Sequence, residues 1–499
     1  MGRKGAPKVK TGCITCKIRK VKCDEARPCC SRCTSTGRKC DGYPARPPLG
    51  TIIPWRKEIV CSVSLAANVN NTEARALRFF QQVVAPAISS RSDSRFWTSL
   101  VLQAASNATT VRHAVIAVSS LYEDFAVSSP KMRHISLHHY NLAIRHAAAS
   151  SDQQVVLLVC ILFVCVEFLR GNVGGAIDHC QHGIRILNDT FKASRSKTCQ
   201  DEILGIFRRL SIFPFFFGST PATFPELGGL DFAQLPTFGS LLNLSELQQS
   251  LDILVSRSIR LIRNGDPYRL KTRETVDIPA ALVREKAALE SYLVQWKQAF
   301  NAYKSRNPKS GVEDVTYTSM EIRHRVALVW VYNTFTEDER VYDEYAHDFQ
   351  HIVDLAEKIP LPDADEVRRS KFLFEMDFLP LLYFVVIKCR WFEMRLGALR
   401  LMNKLASKQE SLWAMDIMNA VGKRVIEIEH GVSLEVLERQ VTVSGQASSP
   451  IIPGSEVRIM DSVMEMAGDE SSDSCSKRVT FILSGENSGM KVLEECIFV

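Results

Sequence analysis

Within its first forty residues the chain repeats one cysteine spacing twice, as Cys13-x2-Cys16-x6-Cys23 and Cys30-x2-Cys33-x6-Cys40. Thiolates two residues apart reach one tetrahedral metal ion from a single turn, and a closed structural zinc site takes four ligands. Each half offers three. Six thiolates serve two metals only when two sulfurs are shared, so the arithmetic predicts a two-zinc cluster. The expected cofactor is two Zn2+, held by Cys13, Cys16, Cys23, Cys30, Cys33 and Cys40. The remaining member of this stretch, Cys29, is read as a non-ligand, because a register through it breaks the Cys-x2-Cys pairing with Cys33.

The charge of the chain is uneven. Residues 1–57 hold fifteen Lys and Arg against Asp24, Glu25 and Asp41, a net of +12, and the other 442 residues carry a net of −5. A basic head on a mildly acidic body predicts a polyanion-binding module joined to a body with another task. Eight further cysteines are scattered without paired spacing and read as reduced and mostly buried. The amino-terminal MGRKGAPKVK lacks the apolar stretch of a secretory signal. Val155–Val166, the longest apolar run, has twelve residues where a bilayer takes about 20. The expectation is an intracellular protein with no membrane partner.

The predicted fold class is mainly α: a small N-terminal two-zinc cluster domain, a proline-rich linker, a large all-α helical body and a partly irregular C-terminal tail with a short hairpin. Residues 1–10 read as a disordered basic tail, 11–41 as the cysteine domain and 42–72 as the linker, where Pro44, Pro47, Pro48 and Pro54 exclude a continuous helix. Residues 73–440 carry helical periodicity, as in 110–125, 132–149, 152–170, 174–191, 279–304 and 370–405. The all-round apolar 155–166 is expected at the centre of the bundle. Residues 210–245, rich in Pro and Phe, read as irregular. Residues 441–499 form a Ser-rich acidic tail in which 479–483 and 492–499 flank a turn-like GENSG, the expected hairpin.

Between the second and third cysteines lies Lys17-Ile18-Arg19-Lys20-Val21-Lys22. On a short helix Ile18 and Val21, three apart, are expected to share the inward face and leave the cations outward. A basic helix fixed to metal at its base can rest its tip in the major groove of double-stranded DNA. There Lys or Arg donates to guanine O6 and N7, and the other cations meet phosphates. The candidate DNA contacts are Lys17, Arg19, Lys20 and Lys22; Arg32, Arg38 and Lys39 of the second half read as phosphate support. Pro28 is placed where the loop between the halves must turn.

The stretch GCITCKIRKVKCDEARPCCSRCTSTGRKC at 12–40 resembles the fungal binuclear zinc-cluster (Zn2Cys6) DNA-binding domain in all six cysteines, the basic run and the loop proline. The resemblance implies a transcription factor in which Cys13 and Cys30 bridge the two zincs. It further implies that Lys20, with Arg19 beside it, reads a CGG-type triplet. FWTSLVLQAAS at 96–106, VRHAVIAVSSLYE at 111–123, HHYNLAIRH at 138–146 and CILFVCVEFLRGN at 160–172 resemble the helical fungus-specific transcription factor domain of the type called domain 2. That likeness implies a regulatory body and no enzyme. The expected function is a zinc-dependent, sequence-specific regulator of RNA polymerase II genes, nuclear, with DNA and the transcription machinery as partners. Alternatives are a zinc-stabilised protein-interaction scaffold, or an enzyme with a site hidden in the body.

Nothing in the body competes strongly. His-Glu-x-x-His, Gly-x-Ser-x-Gly, the P-loop lysine motif and a Gly-x-Gly-x-x-Gly after a strand are absent from the sequence. His134 and His138 are four apart beside His139, and Asp178, His179 and His182 cluster in sequence; both groups read as decoration of partly exposed helix faces. The Phe-rich 212–217 reads as core filling. Residues 41–72 lack the heptads of a coiled coil, so the chain either binds as a monomer or pairs through the helical body, and a homodimer through the body is the favoured expectation. One triplet discriminates little, at about 1–3 kcal/mol per base pair.

Overall fold

The computed structural model describes residues 13–19, 21–43, 71–90, 94–127, 130–193, 201–228, 235–239, 242–270, 277–308, 312–360, 371–436, 452–464, 476–484 and 490–498. The chain divides into two compact units, residues 1–64 and 65–499. The expected N-terminal tail, nearly all of the proline-rich linker and the acidic serines of 469–473 lie outside the described residues, as does Lys20.

Among its described residues the first unit has two short helices, α1 (Ile14–Ile18) and α2 (Ser31–Thr34). Its interior is sulfur: Cys13, Cys16, Cys23, Cys30 and Cys33 are buried, with Cys40 and Tyr43 against them. So short a chain cannot bury enough apolar surface to fold by itself and needs another source of folding free energy. Backbone and side-chain bonds join its two ends. The Ile14 N–H donates to Gly42 O (3.0 Å), while the Thr15 hydroxyl donates to Asp41 Oδ2 (2.8 Å) and accepts the Asp41 N–H (3.0 Å).

The expected inward face of Ile18 and Val21 does not form. Ile18 is 74% exposed and Val21 42%. The helix ends at Ile18, and the Val21 N–H turns back to Cys16 O (3.1 Å). Among the described residues of this unit the buried cluster is made of thiols, and these two side chains are not part of it.

The second unit is helical through most of its length. α3 (Asn71–Phe79) passes through a π turn (Phe80–Val84) into α4 (Ala85–Ile88), and a second π turn (Phe96–Leu100) leads into α5 (Val101–Asn107). There follow α6 (Thr109–Val127), α7 (Pro130–Ala148), α8 (Gln153–Arg170), α9 (Val173–Ala193) and α10 (Asp201–Leu210). After a 3-10 turn at Phe213–Phe216 come the long α11 (Leu244–Arg269), α12 (Ala280–Arg306), α13 (Val312–Tyr332) and α14 (Ala346–Glu357). The C-terminal part alternates β1 (Phe372–Leu373), α15 (Phe378–Lys388), α16 (Phe392–Leu405), β2 (Gln409–Glu410), β3 (Trp413–Ala414) and α17 (Met415–His430).

The apolar run sits where its pattern requires. In α8 every residue from Leu157 to Leu169 is buried. The Asp152 carboxylate accepts the Gln154 and Val155 N–H groups at one end, and Gly171, at φ +67°, closes the other. This helix is long and apolar enough to cross a bilayer, but 72% of it is buried inside the protein. It lies against α6 and α9 as the axis of a first core that includes Phe80, Trp97, Phe168, Phe207 and Trp296. Gly183 of α9 lets the Phe207 ring approach closely, since a Cβ there would stand 2.3 Å from it. In the Phe-rich turn Phe213 and Phe215 are core residues, as expected.

Periodicity located most helices within a few residues, with informative differences. Residues 370–405 were expected as one helix and form two. The chain breaks at Cys389–Trp391, where Arg390 enters a buried ion cluster. α11 begins with a capping box, the Asn243 side chain accepting the Glu246 N–H (3.0 Å) and the Glu246 carboxylate accepting the Asn243 N–H (2.8 Å).

A second core joins α13–α17 to the C-terminal strands β4 (Ile459–Met464), β5 (Ser476–Ser484) and β6 (Met490–Phe498). The two segments expected as a hairpin pair antiparallel, from Ser484↔Met490 to Ser476↔Phe498, and β4 adds a third strand along β5. Alternation buries Val479, Phe481 and Leu483. Charged side chains hold β4 in place: Arg269 Nη1 (3.1 Å) and Lys388 Nζ (2.8 Å) donate to Met460 O, and the Ile459 N–H donates to Glu429 Oε1 (2.7 Å).

Candidate metal centre and nucleic-acid interface

The sulfur positions follow from local chain geometry. α1 starts at the residue after Cys13, whose Sγ accepts the Cys16 N–H at 3.4 Å, so the first Cys-x2-Cys pair turns both sulfurs to one side. α2 likewise starts at the residue after Cys30, here without a side-chain cap, and buries Cys33. The connecting loop contains a cis Arg27–Pro28 peptide bond, and Glu25 holds φ +60° as its N–H meets Cys23 Sγ at 3.4 Å.

Two groups of four sulfurs result. Those of Cys13, Cys16, Cys23 and Cys30 all lie within 4.8 Å of one another, as do those of Cys13, Cys30, Cys33 and Cys40. Cys13 and Cys30 belong to both. Individual separations are 3.5 Å for Cys13–Cys30, 3.6 Å for Cys16–Cys30 and 3.8 Å for Cys13–Cys33. A zinc tetrahedron with Zn–S bonds of about 2.3 Å has sulfur–sulfur edges of about 3.8 Å, so the donor sets fit the ion. Cys29 is exposed and belongs to neither group.

Ionisation is divided across the unit. Burial raises the thiol pKa of Cys13, Cys16 and Cys30. Burial works the same way on Cys23, but the Cys13 and Glu25 N–H groups and the Tyr43 hydroxyl outweigh it and pull the thiol down to about 6. Backbone hydrogen bonding lowers Cys40. Cys23 and Cys40 thus give up their protons more readily than Cys13, Cys16 and Cys30, whose buried thiolates are stabilised when a cation takes the proton's place.

Around this centre the cations face solvent. Lys17, Lys22, Arg32, Arg38 and Lys39 are exposed; Arg19 is half-buried, with Nη1 donating to Thr36 Oγ1 (3.4 Å) across the two halves. The position of Lys20 lies outside the described residues. Tyr43 packs on the cluster, its hydroxyl donating to Ala26 O (2.7 Å) and standing 3.7 Å from Cys23 Sγ, with Arg27 over its ring. Tyr43 lies beyond the last cysteine and outside the spacing pattern, so its role was not legible there.

In the body, His134, His138 and His182 are exposed as expected, and His179 bonds Tyr140 Oη at 2.7 Å. His139 departs from expectation: it is buried, with its Nδ1 2.9 Å from Nδ1 of His113. A cavity of about 110 Å³ is lined by Phe213, Phe216, Met320 and Trp330, with Arg209 and Arg323 at its polar side.

Comparison with known proteins agrees with this arrangement. Residues 11–49 match the fungal Zn(2)-Cys(6) binuclear cluster domain, and residues 75–360 match the fungal specific transcription factor domain. The chain is similar to the aspercryptin biosynthesis cluster-specific transcription regulator atnN of Emericella nidulans, 25% identical over 70% of this chain and 64% of that protein. It is also similar to the transcription regulator lscL of Purpureocillium lilacinum, 29% identical over 35% of this chain and 48% of that one. The transcriptional regulatory protein moc3 of Schizosaccharomyces pombe is 57% identical over 37 residues, 7% of each chain. The matches to the first two thus span less than two thirds of each relative's length. No solved structure matches. A central helical body matched over more than half the chain, behind a thiol cluster of the matching type, places this protein in the fungal specific transcription factor family, whose members with such a cluster are zinc-binding, DNA-binding transcription regulators.

Proposed function

We propose that the cysteine unit binds two zinc ions, one held by Cys13, Cys16, Cys23 and Cys30 and the other by Cys13, Cys30, Cys33 and Cys40. In this reading the unit spans residues 11–41, the linker 42–72, the regulatory body 73–440 and the tail 441–499. The metals supply charge that keeps the thiolates together and fix α1 by its base. Lys20, with Arg19 beside it, donates to base edges of a CGG-type triplet in the major groove, and Lys17 and Lys22 neutralise phosphates. Affinity then comes mainly from counterion release and sequence from one short helical tip. The protein acts in the nucleus as a regulator of RNA polymerase II genes, without catalysis, and its body contacts the transcription machinery and a second copy.

The observation that carries this reading is the pair of overlapping four-sulfur groups with Cys13 and Cys30 in common, beneath exposed cations. Gel shifts of the zinc-loaded full chain on duplexes with and without CGG test it. Selective retardation of the CGG duplex, lost in Lys20→Ala with metal content unchanged, is the expected result. Failure of the loaded chain to bind any duplex would leave the interaction scaffold as the better reading.

A further inference from the structure

Glu73 on α3, His113 on α6 and His139 on α7 come together far from the cysteines in the chain. One ligand atom from each lies within 4.8 Å of the others. The two imidazoles face each other Nδ1 to Nδ1 at 2.9 Å, with ring planes 38° apart. His139 is buried, and His113 and Glu73 are half-buried. The carboxylate is held at this position by its helix. Arg75 pairs with Glu123 of α6 (2.8 and 3.0 Å), and the Ser119 hydroxyl donates to Ala76 O (2.7 Å).

An ordinary core histidine in this protein behaves differently. His324 is buried, bonds Leu293 O at 2.9 Å and stacks on Trp296. Its polar atom has a backbone partner, as buried polar groups generally do. At His139 the partner is instead a second imidazole nitrogen with a carboxylate beside it. Facing neutral nitrogens at this distance share a single proton, one donating and one accepting. A divalent cation in the proton's place takes a lone pair from each ring and the charge of the carboxylate. Zn–N bonds of about 2.0–2.1 Å at tetrahedral angles set the nitrogens about 3.4 Å apart, so the rings need part by only about half an ångström.

We propose that Glu73, His113 and His139 form a binding site for one divalent first-row cation, zinc by the nature of its two-nitrogen, one-oxygen donor set. The fourth position is left to water on the half-exposed side, which is the composition of an open rather than a closed zinc site. The ion clamps the first turn of α3 to the α6–α7 pair. With three protein ligands and no thiolate, it leaves before the cysteine-bound metals do, so the body responds to cation supply at concentrations where the cluster stays loaded.

Cobalt substitution of the purified full chain separates the two kinds of site, because thiolate-bound cobalt gives near-ultraviolet charge-transfer bands and a His2Glu site gives only weak visible bands. The expected result is one cobalt equivalent that carries no thiolate band and is removed first by a mild chelator. His113→Gln and Glu73→Gln should each lose that equivalent with the thiolate bands unchanged, and should lose the rise in melting temperature that added zinc gives the parent. Glu73→Gln, at a half-exposed helix end, keeps the test valid where His113→Gln perturbs folding. Equal cobalt content in the parent and Glu73→Gln, with the same melting response, would overturn the proposal. Loss of the thiolate bands in the parent would instead count against the two-zinc cluster.

Discussion

The sulfurs of Cys13 and Cys30, seventeen residues apart in the chain, stand 3.5 Å from each other at the centre of the cysteine unit. Each belongs to both four-sulfur groups, whereas Cys16, Cys23, Cys33 and Cys40 each belong to one. This makes substitutions inequivalent. Cys30→Ala is expected to release both metals and unfold the unit, Cys16→Ser to weaken one site, and Cys29→Ser to leave the metal content of the full chain intact. Metal analysis after gel filtration checks it; equal losses from Cys30→Ala and Cys16→Ser would contradict shared ligation.

Ile18 gives a sharp test of the corrected helix face. At 74% exposed, it contributes little to the fold of the unit. Ile18→Ser should keep the parent's metal content and change stability by no more than about 0.5 kcal/mol, as surface substitutions do. A large drop in metal retention would restore the inward-facing arrangement expected from sequence.

Lys17 and Lys22 are exposed cations beside the metal centre. If they meet phosphates, Lys17→Ala and Lys22→Ala each weaken binding to CGG and non-CGG duplexes alike. Each should also flatten the slope of log K against log salt by about 0.9. Titrations at several salt concentrations read both effects; a change in sequence preference would assign the residue to base contact instead.

Glu429 bridges two buried guanidiniums, at 2.6 Å from Arg395 Nη1 and 3.3 Å from Arg390 Nη2, and accepts the Ile459 N–H. Removing one partner of a buried pair leaves uncompensated charge, at a cost of about 3–5 kcal/mol. Glu429→Gln should therefore lower the denaturation midpoint strongly and make β4 the first segment opened to protease. Undiminished protection of 459–464 would show that the strand is held by apolar packing alone.

Glu410 is fully enclosed, and burial together with the nearby Asp377 carboxylate pushes it up to about 8 from an ordinary value of 4.5. A folded-state pKa raised above the unfolded one means that the carboxyl costs stability as pH rises from about 4.5, levelling off above about 8. Glu410→Gln keeps an oxygen for the Asp377 and Leu379 N–H groups (2.8 and 3.1 Å). The variant should exceed the parent in stability at pH 8 and converge with it toward pH 5. Urea unfolding at three pH values measures this, and a gap that widened on acidification would reverse the sign.

By itself the sequence determined the cysteine unit, the helical class of the body and the central place of 155–166. Those features are local. Six ligands lie within 28 positions, and a helix repeats its apolar face every few residues, so spacing alone carries the information. The capping box at Asn243 and Glu246 was equally local and legible in principle. Tertiary structure decided the rest. It turned Ile18 outward because sulfur had taken the interior, and broke 370–405 where Arg390 meets Glu339 and Glu429. It also fastened β4 to Lys388 and Arg269, and brought His113 of α6 against His139 of α7. Such contacts join residues tens to nearly two hundred positions apart. Nothing in a short window of sequence encodes them, because each is fixed only when separate elements pack and buried charge must find its partner.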